Sequence, residues 1–128
     1  HFNYKNPWKP TKNVDEIPDS LYRGWHYEKK WEPFRKCLLV RESGSNFKAE
    51  SSGGSGSYQF IQSTWDHYVA KVDPGYVGVR PHKAPPYLQE TVFWIAVNPT
   101  PRKPGLAGRH HWSASHAHGA GFPHVKDC

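Results

Sequence analysis

Near the middle of this 128-residue chain runs a stretch of only glycine and serine, Ser51-Ser52-Gly53-Gly54-Ser55-Gly56-Ser57. By composition such a run is a flexible linker. As a linker it would separate residues 1–50 from residues 58–128, and neither piece is large enough to build a comfortable core alone. The run therefore reads as a glycine-rich turn inside one domain, where missing side chains let the backbone approach a ligand or a neighbouring strand. The 19 aromatic residues (Trp 6, Tyr 7, Phe 6) supply much of the area that this one core can bury.

Helical periodicity is clearest on either side of the turn. Pro33 suits a first helical turn, and Trp31, Phe34, Leu38 and Glu42 follow at steps of three, four and four up to Gly44, a C-terminal cap. A second helix is expected from Ser63, capping with Asp66, through Trp65, Tyr68, Val69 and Val72 to Asp73-Pro74. A third begins at Pro85-Pro86 and runs through Leu88, Val92 and Ile95 to Asn98, where Pro99 ends it. Ser57 to Ile61 alternates and predicts a short strand. Residues 1–30 show neither period and read as an irregular, aromatic-rich arm lying over the domain of residues 31–128, with a helical turn near Ile17 to Arg23. From Pro99 to Cys128 the chain is a long irregular tail with five histidines, His110, His111, His116, His118 and His124.

Glu42 stands out chemically. It projects from the apolar face of its helix near the C-terminal end, where burial and the negative pole of the helix dipole both disfavour ionisation. A carboxylic acid that keeps its proton near neutral pH can protonate a glycosidic oxygen. The plain alternative is a glutamate that reaches solvent at a frayed helix end.

Charge and cysteines bound the surroundings. The net charge of +6 favours a polyanionic partner, yet the basic residues are scattered singly and in pairs, without the dense block of a nucleic-acid arm. A mean hydropathy of −0.84 and the lack of a long apolar run exclude a membrane-spanning helix. Cys37 and Cys128 lie too far apart for a CxxC motif, so they either pair with each other or stay free. In an oxidising compartment, a disulfide tying the tail to the core is the expected arrangement. The tail histidines lack the flanking pattern that fixes a metal geometry, so no metal site is assigned. With no methionine and His1 as first residue, the sequence is expected to be a processed or excised chain.

Three linked motifs carry a resemblance. Glu42-Ser43-Gly44-Ser45-Asn46-Phe47, Gly53-Gly54-Ser55-Gly56-Ser57-Tyr58-Gln59-Phe60 and Gln62-Ser63-Thr64-Trp65 resemble the "ESGxNW … GxYGxxQF … STW" pattern of transglycosylase-like domains. These include the catalytic domain of resuscitation-promoting factors, in the lysozyme superfamily. The glycine-rich stretch is also similar to the "GAxGLMQ" box of soluble lytic transglycosylases. More loosely, Pro81 to Pro86 with Gln89 and Glu90 resembles the family's "A-x-P-x-x-Q-D" helix entry, and Trp112 to Cys128 its "W…C" ending. The resemblance is strongest over residues 31–70 and absent for residues 1–30. In the relatives a cysteine usually adjoins the catalytic glutamate, whereas Cys37 lies five residues before Glu42.

The resemblance implies an α+β, mostly α, lysozyme-like fold with a short β element. It makes Glu42 the catalytic acid, Gln59 and Thr64 substrate contacts in a groove, and Tyr58 a sugar-facing residue. It implies peptidoglycan glycan strands as the partner, no cofactor, action as a monomer, and a place outside the cell or on a phage virion. Where some relatives carry an aspartate two residues after the motif glutamine, this chain has Ile61, so no second acid is matched. That points to lytic transglycosylation with 1,6-anhydromuramic products, ahead of a hydrolytic lysozyme in which Glu50 or Asp66 would supply the base. An inactive wall-binding module and a nucleic-acid binder using scattered Lys and Arg are the remaining readings.

Overall fold

The computed structural model describes residues 10–11, 13–50 and 53–99. Three helices carry the architecture: α1 over Glu32–Ser43, α2 over Gln62–Val69 and α3 over Pro86–Val97. Among the described residues four single 3-10 turns accompany them: Val14–Glu16 and Lys29–Trp31 lead into α1, and Pro74–Tyr76 and Pro81–Lys83 connect α2 to α3. Among the described residues the β content is two isolated bridges, so the fold is mostly α.

The first and third helices form where the sequence placed them. Pro33 sits in the first turn of α1, and Gly44 closes it in the left-handed conformation, φ 66°. Gly44 N–H donates to Val40 O and Ser45 N–H to Leu39 O, both at 3.2 Å, a left-handed closure that satisfies two of the last carbonyls. Phe34, Leu38, Leu39 and Val40 are buried along it. In α3 every residue except Tyr87 is buried. A helix covered on all sides belongs at the centre of a domain, and the other elements wrap this one.

The second helix is shorter than its sequence pattern. It ends at Val69, residues 70–72 continue as turns, and Asp73 caps the next 3-10 turn instead by accepting from Gly75 N–H at 3.3 Å. The expected Ser63 cap does not form: Ile61 holds the cap position, without a side-chain bond. Asp66 is drawn elsewhere, accepting from Gln62 Nε2 at 2.9 Å and from Gly78 N–H at 2.8 Å.

The strand expected at Ser57 to Ile61 is instead a tight reversal. Ser55 and Phe60 exchange both backbone hydrogen bonds, at 3.1 and 3.0 Å, and the chain folds back between them. Gly56 and Gln59 both take positive φ, 84° and 54°, which extended backbone excludes. The turn is pinned from α3: Gln89 Oε1 accepts from Ser57 N–H at 2.8 Å, while Gln89 Nε2 donates to Phe47 O and Ala84 O, each at 3.0 Å. The glycine-serine run, over its described residues, is thus an ordered turn of the domain.

The segment before α1 contributes to the core. Ile17 and Tyr22 are buried in it. Its helical turn falls at Val14–Glu16, ahead of the expected Ile17 to Arg23, because Asn13 caps it by accepting from Asp15 N–H at 3.0 Å. Ser20 reaches furthest inward. Its N–H donates to Glu32 Oε2 at 2.9 Å, its hydroxyl donates to Glu90 Oε1 at 2.7 Å, and it accepts from Trp94 Nε1 at 3.0 Å. Arg35, fully buried on α1, completes this polar centre, bonding Glu32 Oε1 at 2.6 Å and both Glu90 Oε1 and the Tyr58 hydroxyl at 3.2 Å.

Candidate active site

Glu42 lies in the last turn of α1 and is 4% exposed. Burial pushes its carboxyl up from 4.5 to about 7, and the adjacent Arg41 guanidinium, which contacts it, offsets only part of that cost. Both side chains lie inside the protein, so their attraction competes with two desolvation penalties. The helix C-terminus adds partial negative charge at the same end. The result is an acid that holds its proton close to neutral pH.

The residue after it ties this acid to the glycine-rich turn. Ser43 Oγ donates to Ser57 O at 2.6 Å and accepts from Asn46 N–H at 3.0 Å. Gln59 follows in the same turn, half-buried, its Nε2 donating to Gly56 O at 2.9 Å. Thr64 is half-buried in the first turn of α2, just before the fully buried Trp65, whose indole packs on Phe60 and donates to Tyr76 O at 3.2 Å. Glu42 and Gln59 are therefore held on segments stitched directly together, and Thr64 on the helix that the turn feeds.

Tyr58 corrects the expectation of a sugar-facing residue. It is fully buried, stacks on Phe93 at a ring separation of 4.0 Å, and its hydroxyl is shared between Arg35 and Glu90. Burial, with the Glu90 carboxylate beside it, pushes that hydroxyl well above 10. Glu90 itself is pushed up by burial, against the pull of Arg35. Tyr58 therefore braces the turn against α3, and a sugar cannot reach it.

Of the two acids held in reserve as a base, Asp66 is committed to Gln62 and Gly78, as described above. The Glu50 side chain is 62% exposed, with His82 Nε2 at 3.7 Å. Cys37 is half-buried on α1, and no free cysteine occurs among the described residues. Cys128 and the five tail histidines lie outside them. Among the described residues no cluster of His, Cys, Asp and Glu is placed to hold a metal ion, and no helix is long and apolar enough to cross a membrane.

Sequence reasoning missed the Arg35–Glu90 centre and the clamp made by Gln89. The available signal was the polar run Gln89-Glu90-Thr91 set between Leu88 and the apolar stretch from Val92 to Val97.

The chain is 51% identical over 57 residues to a Staphylococcus saprophyticus protein named "Probable transglycosylase SceD 3", a match covering 43% of this chain and 23% of that protein. It is 51% identical over 55 residues to "Probable transglycosylase SceD" of Staphylococcus epidermidis, covering 41% and 24%. It is 47% identical over 58 residues to the Staphylococcus aureus protein of that name, covering 43% and 23%. The match thus spans about a quarter of the length of these curated relatives. No family model matches the chain, and no solved structure does.

Proposed function

We propose that this chain cleaves the β-1,4 bond between N-acetylmuramic acid and N-acetylglucosamine in bacterial peptidoglycan, as a lytic transglycosylase acting outside the cell that makes it. The observation that carries the reading is Glu42: a buried acid held near pKa 7 at a helix end tied to the glycine-rich turn. The partial likeness to proteins named probable transglycosylases agrees with it, as does a net charge of +6 toward an anionic wall.

In this mechanism Glu42 donates its proton to the glycosidic oxygen as the bond to the muramic acid C1 breaks. The N-acetyl group supports the electron-poor C1. The Glu42 carboxylate then takes the proton of the C6 hydroxyl, whose oxygen bonds to C1 and closes a 1,6-anhydro ring. Glu42 ends protonated, as it began, and no water is consumed. Gln59 and Thr64 are the residues we assign to hold the glycan, since both remain partly open to solvent.

Digestion of purified wall in heavy-oxygen water tests the reading. Expected products are unlabelled anhydromuropeptides that borohydride leaves unreduced. Labelled, reducible muramic ends would make the enzyme a hydrolase, with the exposed Glu50 as first candidate base. Binding without release of fragments would make it a wall-binding module.

A further inference from the structure

Between the segment before α1 and the first turns of that helix lies a cavity of about 470 Å³. Its walls carry charges of both signs. Asp19 and Lys36 are paired there, with Lys36 Nζ 2.9 Å from Asp19 Oδ1. That hydrogen bond holds the Asp19 carboxyl below the usual carboxylate range, against the cost of its burial, and the charges of Lys29 and Arg23 add to the effect. Glu32, also on the wall, is committed to Ser20 N–H, the Tyr27 hydroxyl and Arg35.

Asp15 and Lys29 remain. Both line the cavity and are exposed, and among the described residues neither takes part in an ion pair or a side-chain hydrogen bond. Their two charges are thus too far apart to cancel each other directly. Their backbones are fixed: the Asn13 side chain accepts from Asp15 N–H at 3.0 Å, and Lys29 opens a 3-10 turn that Glu32 N–H closes on Lys29 O. Val14, packed against the core, and Pro33 give the same cavity apolar surface. An unpaired ammonium, an unpaired carboxylate and apolar surface beside them suit a ligand that carries both charges on a carbon chain.

We propose that this cavity binds a short peptide bearing one ammonium and one carboxylate, Asp15 pairing with the ammonium and Lys29 with the carboxylate, while Val14 and Pro33 cover the chain that joins them. The source of the peptide rests on the function proposed above: it is the uncross-linked peptide stem of the wall. In a lysine-containing stem the two charges are the side-chain ammonium and the terminal carboxylate. A cross-link is an amide that consumes the carboxylate of one stem and the ammonium of the other, so each stem then loses one of the two contacts. Contacts to exposed charges are individually weak, so the free peptide binds with a Kd on the order of 1 mM. A stem attached to a glycan that the chain already holds gains by effective concentration.

The test titrates the full chain with Nα-acetyl-lysyl-alanyl-alanine, following backbone amide resonances, and repeats the titration with the C-terminal amide and with the Nε-acetylated form of the same tripeptide. The tripeptide is expected to shift Val14, Asp15 and Lys29, and each analogue, lacking one charge, to bind about threefold more weakly. Lys29→Gln should erase the difference between acid and amide while keeping the preference for the ammonium, and Asp15→Asn should do the converse. Equal affinity for the three peptides, shifts lying elsewhere, no shift at about 20 mM tripeptide, or a charge preference that survives its own variant each overturns the proposal. The comparison of peptides needs no variant, so a folding defect in either one leaves the test intact. A disaccharide carrying the same stem should bind no more weakly than the free tripeptide; weaker binding overturns the assignment to the wall stem. Wall digestion by the unmodified chain separates the two readings. Peptide binding without wall cleavage sinks the catalytic reading alone, and cleavage without discrimination among the three peptides sinks the cavity assignment alone.

Discussion

Replacing Glu42 by glutamine should change stability in a way that depends on pH, and the direction follows from the buried carboxyl. Its pKa is about 7 in the folded chain against 4.5 for an exposed glutamate. Between those values the folded state holds a proton that the unfolded state has released, so stability is lost as pH rises through the window. At about 1.4 kcal/mol per pH unit, the carboxylate costs the fold roughly 3 kcal/mol at pH 8 and nothing at pH 4. A glutamine keeps the shape and an acceptor oxygen for Arg41 but cannot ionise. Glu42→Gln should therefore match the parent at pH 4 to within a roughly constant offset and gain about 3 kcal/mol on it by pH 8. Urea unfolding of both proteins at several pH values measures this, because all other titrations cancel in the difference. The same variant should lose wall cleavage entirely, and the parent's kcat/KM should fall as pH rises above about 7. A stability difference that is flat with pH, or that shrinks as pH rises, would refute the burial argument. Full activity in the glutamine variant would place the acid elsewhere.

Tyr58→Phe removes the hydroxyl shared by Arg35 and Glu90, and should cost about 1–3 kcal/mol in urea unfolding while leaving KM for wall unchanged. A raised KM at unchanged stability would restore Tyr58 as a sugar contact. Gly54→Ala would set a Cβ 2.5 Å from the Gln59 carbonyl oxygen, whereas Gly53→Ala meets nothing within 4 Å. The first should lose about 1–3 kcal/mol and most of the activity, and the second should be near neutral by both measures. A Cys37–Cys128 disulfide is expected to leave no titratable thiol in the unfolded, unreduced protein. Its reduction should cost about 4–5 kcal/mol and lower Tm. Two free thiols would rule the bond out.

What the sequence determined by itself is local or periodic. Pro33 and Gly44 bound α1, and Pro86 and Asn98-Pro99 bound α3, because ring closure and a left-handed cap act within a turn of the chain and need no distant partner. Glu42 was legible for the same reason: its place on the apolar stripe near the helix end already implied a reluctant carboxylate, and the sequence motifs pointed to the same residue. Long-range partners decided the rest. Ser63 is a good cap by type, but Asp66, its expected companion, is claimed by Gly78 and Gln62, and the cap position passes to Ile61. Ser57 to Ile61 alternates like a strand, yet Gln89 of α3 takes the Ser57 amide, and two positive φ angles fold the segment back. Tyr58 falls inside a motif, but whether it faces a sugar or the core depends on Arg35, Glu90 and Phe93, which lie 23, 32 and 35 positions away in the chain. Arg35 and Glu90 carry no local sign of burial; Ser20, Trp94 and Glu32, from three segments, enclose them. A buried ion pair needs partners from several segments at once, and only the tertiary structure brings those together.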